Sequence, residues 1–276
     1  VELLWFLSGQ TDIEILQRHG CKFWDAWADE RGKVPSAYGN FWRSFPIHRE
    51  LRSDLQGQTV ASADAPFKTT EPAYNDQIRW VLQELTRNPM SRRLVVSAWA
   101  PENAQTSKLP PCHLLFAFNV QNSHPMLRNV LSGQLMSVQP TPRPRLCLHL
   151  TQRSCDVALG VPYNIASYAL LLELFARFSG IAPGIFAHTL IDSHIYTKKP
   201  DGSMAEYDHV PGLTEQILRA PRALPRLRLG DEIRGLDDVE RLLHASTSTW
   251  EIMRHFVLDG YDPHPAITFK VAVEGA

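Results

Sequence analysis

The chain has 276 residues, of which 44% are hydrophobic and 21% are charged, and its formal net charge is −1. This length allows one large domain or two small ones, and the near-zero charge excludes a general attraction to nucleic acid or anionic membranes. Four cysteines without a CxxC pair favour a reduced, intracellular protein over a disulfide scaffold or a zinc site.

The sequence begins at Val1, without Met and inside an apolar periodic segment, so we expect further residues upstream. Apolar spacing in the first part of the chain predicts helices over residues 1–7, 11–19 and 75–86. Thr11 is the expected N-cap of the second helix. The polar, irregular stretch 48–67 predicts a surface loop.

Strands and helices alternate irregularly in the rest of the chain. The predicted strands are 94–99, 115–120, 146–154, 186–191, 227–229 and 267–273, and the predicted helices are 165–178, 213–218 and 236–243. Helix 165–178 is apolar nearly all round, which predicts a buried central helix that ends at Gly180. Residues 121–145 and 198–212 are interpreted as surface excursions. The absence of a βαβ rhythm favours an α+β fold.

A cysteine follows two prolines at Leu109-Pro110-Pro111-Cys112-His113, shortly before a predicted strand. Consecutive prolines restrict the backbone to an extended lead-in, which presents the cysteine at a fixed point. Cys112 could be a nucleophile activated by the cations Arg153 or His113, or a buried cysteine that packs as a small hydrophobe. A protease-like pair with His113 is excluded, because adjacent side chains of a strand point to opposite faces.

Arginine and amide side chains supply a second set of candidates. Arg92 and Arg93 directly precede a strand, where they could form a phosphate clamp or simply a solvated turn. Asn164 precedes the apolar helix and could be its N-cap. Alternatively, its amide offers one donor and one acceptor, which suits the edge of a pyrimidine.

His194 and Tyr196 alternate on an extended segment, so their side chains share a face. They could bind hydroxyl groups or be partly buried polar aromatics. Glu2 lies in an apolar helical turn, which predicts a raised pKa and a role as proton carrier. The alternative for Glu2 is an exposed helix acid.

Several motifs occur in a characteristic order along the chain, and the block from Gln152 to Leu171 is the most specific of them. The others are Glu2-Leu3-Leu4-Trp5-Phe6, Trp24-Asp25-Ala26-Trp27-Ala28-Asp29, Tyr38-Gly39, Ser91-Arg92-Arg93, Pro110-Pro111-Cys112-His113, Asp192-Ser193-His194-Ile195-Tyr196 and Gly260-Tyr261-Asp262-Pro263-His264-Pro265. In this order they resemble the folate-dependent thymidylate synthases, of the thymidylate synthase/nucleotide hydroxymethylase superfamily. The resemblance covers nearly the whole chain and leaves out only the insertions 121–145 and 198–212.

The resemblance implies one catalytic domain over residues 1–276, with a large mixed β-sheet packed by helices around a long buried central helix. The sheet would form a homodimer interface. The implied reaction is cytoplasmic reductive methylation of dUMP to dTMP, with 5,10-methylenetetrahydrofolate as one-carbon and hydride donor and dihydrofolate as product. No metal, DNA or membrane is implied. The alternatives are a dUMP 5-hydroxymethylase of the same superfamily and a silent homologue that binds nucleotide or RNA.

The resemblance also implies roles for individual residues. Cys112 would attack C6 of the pyrimidine, and Glu2 and Tyr38 would manage protons. Arg153 would bind phosphate and keep Cys112 as thiolate, while Arg92 and Arg93 would reach the neighbouring subunit's phosphate. The other residues expected at the nucleotide are His113, Ser154, Asn164, His194 and Tyr196. Those expected at the folate are Phe23, Trp24, Leu109, Asp156 (also counted as catalytic), Gly160, Tyr163 and Ala272.

The chain departs from the family pattern at a few positions. Ile191 replaces a glycine before the Asp-x-His-x-Tyr run, where a branched side chain is expected to crowd a close backbone approach. Ala100, Ala117 and Asn119 replace other usual residues. Residues 274–276 extend the tail that closes over the site, so these changes bear on the final hydride transfer, which needs a dry site.

Overall fold

The computed structural model describes residues 1–47, 73–101, 107–121, 127–128, 135–136 and 144–271. The loop expected at 48–67, most of the 121–145 excursion and Ala272 lie outside these ranges. The α-helices in these ranges are α1 (Glu2–Ser8), α2 (Glu14–Arg18), α3 (Tyr38–Arg43), α4 (Gln77–Arg87), α5 (Gly160–Ser179), α6 (Val210–Ile217), α7 (Leu236–Ala245) and α8 (Thr249–Met253). Short 3-10 helices lie at Phe23–Trp27 and Ala205–Tyr207.

Within the described ranges, the strands form one mixed sheet and three two-stranded sheets. They are β1 (Phe45–Ile47), β2 (Ala73–Asn75), β3 (Val95–Ser97), β4 (His113–Gln121), β5 (Leu127–Arg128), β6 (Leu135–Met136), β7 (Arg145–Asp156), β8 (Ala182–His194), β9 (Arg226–Leu229) and β10 (Phe256–Asp259). The mixed sheet has the order β3-β4-β7-β8, in which only the β7–β8 pair is parallel. The expected α+β class with a mixed sheet packed by helices is thereby confirmed.

One face of the mixed sheet is covered by the hydrophobic core. Phe116 and Phe118 of β4 are buried, while Leu115 before them and Asn119 after them are exposed. Because strand side chains alternate between faces, this pattern places the core on a single side of β4. The ring of Phe118 stacks on Phe175 of α5 with centroids 4.6 Å apart, so α5 packs on that side.

Helix α5 is longer than predicted, because it begins at Gly160 and not at Ile165. Pro162 lies in its first turn, where the missing N–H costs no intrahelical hydrogen bond. Gly180 ends the helix with φ +70°, as predicted. The helix is buried along one side only, since Ile165 is 46% exposed whereas Tyr168 is 2% exposed.

The contact between α1 and α3 requires a glycine. A Cβ atom at Gly39 would lie 2.3 Å from the carbonyl oxygen of Phe6. The aromatic rings of Phe6 and Tyr38 then meet edge to face, with centroids 5.1 Å apart. This close approach places Glu2 on α1 and Tyr38 on α3 within one packed unit.

Several sequence predictions need correction. Helix α2 begins at Glu14, and Thr11 is not its N-cap, because Asp12 pairs with Lys33 in a β-bridge that keeps this segment extended. Asn164 is likewise not an N-cap, since it lies inside α5. No strand forms over 267–271, where the Lys270 carbonyl accepts a hydrogen bond from the His209 side chain and not from a neighbouring strand.

Other elements were placed only approximately or missed. Helix α6 begins at Val210, so the predicted polar loop is shorter than 198–212, and α8 and β10 were not predicted. Ile191 does not crowd the backbone, because it is 62% exposed on β8. Its φ is also not positive, since Met204 is the only non-glycine residue with positive φ in the described ranges. None of the helices in the same ranges is long and apolar enough to cross a membrane.

Candidate active site

Cys112 lies immediately before β4, and Arg153 of the neighbouring strand β7 holds the segment that leads to it. The Arg153 guanidinium donates hydrogen bonds from Nε to the Pro111 carbonyl (3.0 Å) and from Nη2 to the Pro110 carbonyl (2.8 Å). The Arg153 backbone N–H donates to the Cys112 carbonyl at 2.8 Å. The rigid lead-in predicted from the two prolines is therefore fixed to the sheet by three hydrogen bonds from one residue.

The Cys112 thiol is half-buried, and its pKa reflects opposing effects. Burial raises the pKa of Cys112, and this is the largest effect, while the Arg153 charge and a hydrogen bond with Tyr38 lower it. The Tyr38 hydroxyl oxygen also accepts a hydrogen bond from the Cys112 N–H at 3.1 Å. Arg153 thus acts on the thiol in the expected direction, but in the free protein the pKa still lies above its ordinary value.

His113 is not the cation that activates Cys112. Its side chain is buried and stacks on Tyr38 with ring centroids 4.5 Å apart. Burial lowers the pKa of His113 to about 3, against the opposing effect of a hydrogen bond with Asn164. The imidazole is therefore neutral at physiological pH, and of the two activating cations suggested by the sequence only Arg153 remains.

Glu2, the first residue of α1, has the raised pKa predicted from its apolar surroundings. Burial is the main cause, and a hydrogen bond donated by Trp24 Nε1 to Glu2 Oε1 (2.6 Å) opposes it. Trp24 is itself buried in the 3-10 helix Phe23–Trp27 and packs edge to face on Phe6 and Tyr38. The acid is therefore tied to the aromatic cluster that carries Tyr38.

Asn164 lies on the first turns of α5, and its side chain faces β7. Its Oδ1 accepts a hydrogen bond from Gln152 Nε2 at 3.0 Å. Gln152 is 3% exposed and lies on the same face of β7 as Leu148 and Leu150. Gln152 was not identified from the sequence, although a glutamine that continues an apolar strand face is a pattern that indicates such a buried polar contact.

The carboxyl ends of the parallel strands β7 and β8 bring a further group together. Ser154 pairs in register with Asp192, and Asp156 pairs with His194. The rings of His194 and Tyr196 are perpendicular, with centroids 5.1 Å apart, and His194 Nδ1 lies 3.6 Å from Asp192 Oδ2. The sequence prediction that His194 and Tyr196 share a face agrees with this contact.

Asp156 stabilises the turn that leads into α5. Its Oδ1 accepts hydrogen bonds from the backbone N–H groups of Ala158 (3.0 Å) and Leu159 (3.3 Å). The same oxygen lies 3.7 Å from Nδ1 of His209, which is 1% exposed. His209 was not identified from the sequence, and it also holds the C-terminal segment through the Lys270 carbonyl.

The residues expected at the folate differ in exposure. Tyr163 and Phe23 are 68% and 45% exposed, whereas Leu109 and Gly160 are half-buried. Arg92 and Arg93 are exposed in the turn between α4 and β3, and their guanidinium groups make no hydrogen bond or ion pair within the described ranges. The described part of the chain therefore does not join these two arginines to Cys112.

No group of three or more histidine, cysteine or carboxylate side chains in the described residues could hold a metal ion. All four cysteines are free. The side chains gathered near Cys112 are a carboxyl (Glu2), a phenol (Tyr38), an arginine (Arg153) and an amide (Asn164).

Comparison with known proteins identifies the family of the chain. The family model described as thymidylate synthase matches residues 1–273. The thymidylate synthase of Haloferax volcanii is 36% identical over 311 aligned residues, which cover 98% of this chain and 79% of that protein. The chain therefore belongs to the thymidylate synthase family, whose members methylate dUMP to dTMP with methylenetetrahydrofolate.

Proposed function

We propose that this protein converts dUMP to dTMP with Cys112 as the nucleophile. The observation that carries the assignment is the fixation of Cys112 by Arg153, with the Tyr38 hydroxyl at its N–H. A nucleophile needs a defined position and a nearby cation, and this arrangement supplies both. The reaction is assigned to the cytoplasm, because the free thiol has to stay reduced.

In the first step, the Cys112 thiolate forms a bond to C6 of the pyrimidine. The electron pair of the C5–C6 double bond moves toward C5 and O4, so C5 becomes an enolate-like carbon. Asn164 is assigned to the O4 and N3 edge of the base, because its amide donor and acceptor match uracil. Arg153 stabilises the thiolate, offsetting part of the burial that raises the pKa of Cys112.

Proton transfer is assigned to Glu2 and Tyr38. The C5 proton has to leave after the one-carbon unit is attached, and a carboxyl with a raised pKa can exchange a proton near neutral pH more readily than an ordinary one. Burial also raises the pKa of Tyr38 well above its usual value, so its hydroxyl stays protonated. Tyr38 is therefore a hydrogen-bond donor, and Glu2 is the group that accepts and returns protons through ordered water.

The accessible aromatic side chains fit a flat heterocyclic co-substrate. Phe23 and Tyr163 offer exposed rings on which such a ring system can stack, and Leu109 and Gly160 line the same region in our assignment. Methylenetetrahydrofolate supplies a one-carbon unit and a hydride there, and Asp156 is assigned to its pterin.

Phosphate binding is assigned to residues from two subunits. Arg153 and Ser154 contribute from the chain that carries Cys112, while Arg92 and Arg93 reach the site of the partner. A two-fold interface allows this exchange, because each chain then completes the other. The exposure of Arg92 and Arg93 in the described chain supports the proposal, and His194 and Tyr196 are assigned to the ribose 3′-hydroxyl.

The experiment is incubation with 5-fluoro-dUMP and methylenetetrahydrofolate, followed by mass spectrometry of the protein. We expect a covalent adduct on Cys112, and dTMP with dihydrofolate when dUMP is used instead. The Cys112→Ala variant should form neither the covalent adduct nor dTMP and dihydrofolate. The Cys21→Ala variant, which changes another free cysteine, should still form all of them. A product with the mass of 5-hydroxymethyl-dUMP, without dTMP, would contradict the proposal and favour the hydroxymethylase.

A further inference from the structure

Behind Asn164, a histidine of β8 extends the polar contacts of the site. His188 pairs in register with Leu150 across the parallel β7–β8 pair, so its side chain lies on the same face as Leu150 and Gln152. His188 Nε2 lies 2.9 Å from Gln152 Oε1. A continuous row of side-chain hydrogen bonds therefore runs from His188 through Gln152 to Asn164.

A backbone carbonyl fixes the direction of this row. Gln152 Nε2 donates to the Ser154 carbonyl oxygen at 2.9 Å, and a carbonyl can only accept. The amide nitrogen of Gln152 therefore faces Ser154 and Asn164, and its oxygen faces His188. As a consequence, Asn164 presents Oδ1 to Gln152, because a flipped amide would place two donors against each other.

The amide oxygen of Gln152 needs a donor, and His188 supplies it. Burial lowers the pKa of His188, and the nearby His149 lowers it further, so the ring is neutral and has a single N–H. His113, the other titratable side chain that interacts with His188, is neutral as well. With the N–H on Nε2, the remaining nitrogen Nδ1 is a bare acceptor, and it has no partner within the described residues.

The fixed amide distinguishes two bases. Uracil presents an acceptor at O4 and a donor at N3–H, while cytosine presents a donor at its 4-amino group and an acceptor at N3. An asparagine amide can match either edge, because a half-turn exchanges its oxygen and nitrogen. An amide that cannot turn matches only one of the two bases.

We propose that His188 is a specificity-determining positioning residue, which acts through Gln152 to hold the Asn164 amide in the orientation that reads uracil and rejects cytosine. The proposal rests on the function proposed above. His188 does not touch the nucleotide. Its N–H donates to the Gln152 oxygen, while the Ser154 carbonyl accepts from the Gln152 nitrogen. Together the two contacts keep the Gln152 amide from turning, so it continues to hold Asn164.

The test compares equilibrium binding of dUMP and dCMP to the full chain. The measured quantity is the ratio of the dCMP to the dUMP dissociation constant. In His188→Phe the ring remains and the donor is lost, so the ratio should fall about fivefold to tenfold, the equivalent of one net hydrogen bond. His188→Gln keeps an N–H donor of similar reach and should restore the ratio.

A second histidine–glutamine pair provides the control. Gln10 Nε2 and His244 Nε2 are 2.8 Å apart on another part of the chain. His244→Phe should leave the dCMP to dUMP ratio at the wild-type value. An unchanged ratio in His188→Phe, or a reduced ratio that His188→Gln does not restore, would overturn the proposal.

A second measurement covers the case in which His188→Phe does not fold. Nitrogen-15 NMR of the wild-type protein should find His188 neutral with its proton on Nε2, and a proton on Nδ1 would overturn the proposal. The outcomes remain separable from those of the proposed function. A wild-type protein that does not methylate dUMP contradicts the function, whereas one that methylates dUMP with an unaltered His188→Phe ratio contradicts only the inference.

Discussion

Arg153 combines two effects on Cys112 that a pair of substitutions can separate. Its guanidinium fork holds the carbonyls of Pro110 and Pro111, and its charge lowers the pKa of the thiol. Arg153→Lys keeps the charge but loses the fork, since an ammonium is a point charge without planar paired donors. Arg153→Gln loses the charge and keeps one amide donor group.

The stability effect can be worked out from the contacts. Two hydrogen bonds from a charged donor, at 2.8 and 3.0 Å, hold the prolyl carbonyls. Each such bond contributes about 1.5–3 kcal/mol, and a lysine can replace one of them. Arg153→Lys should therefore lower the free energy of unfolding by about 1.5–3 kcal/mol. The backbone hydrogen bond from Arg153 to Cys112 remains in both variants.

The reactivity effect is measured as the rate of Cys112 alkylation by iodoacetamide across pH, resolved by peptide mass spectrometry. Because the thiolate is the reactive form, a higher pKa moves the rate profile to higher pH. Arg153→Gln should move the rate profile to higher pH, and Arg153→Lys should move it in the same direction by a smaller amount. If the rate profile of Arg153→Gln coincides with that of the wild type, the charge effect is refuted. If Arg153→Lys has the wild-type free energy of unfolding, the stabilising role of the hydrogen bonds to Pro110 and Pro111 is refuted.

Two predictions concern the packing around Glu2. Gly39→Ala should destabilise the protein by about 1–3 kcal/mol in urea unfolding, because its Cβ would lie against the Phe6 backbone. An unchanged free energy of unfolding would contradict this prediction. Glu2→Gln should abolish most turnover but unfold less readily than the wild type at pH 8. Burial raises the pKa of Glu2 in the folded protein. The stability that its protonated form contributes is therefore fully present below about pH 4.3, the ordinary pKa of a glutamate, and is lost as the pH rises through the folded pKa. The free energies of unfolding of the wild type and Glu2→Gln should thus converge at acidic pH. A wild-type advantage at pH 8 would contradict this sign.

Local patterns account for the elements that the sequence predicted well. Helix α4 repeats its apolar residues at helical spacing, and Asp76 caps it by accepting from the Arg79 N–H at 3.0 Å. Gly180 ends α5 with positive φ because only glycine adopts that conformation at low cost. Each of these features depends on residues within a few positions of one another, so the sequence contains the necessary information.

Errors occurred where a distant partner decides the backbone. The segment before α2 is extended because Asp12 pairs with Lys33. The C-terminal segment forms no strand up to residue 271, and its Lys270 carbonyl binds the His209 side chain. Neither partner can be identified from local periodicity. The exposed position of Ile191 likewise depends on which face of β8 is covered, which the sequence of that strand does not state.

The sequence by itself determined the position of Cys112 after two prolines and before a strand, because those constraints are local and steric. It also contained the motif order that identifies the family. Only the tertiary structure decided which groups act on the thiol. His113, adjacent in sequence, is buried and neutral, while Arg153 comes from the next strand of the sheet. Burial and hydrogen bonding set these properties, and both depend on strand pairing between residues far apart in the chain.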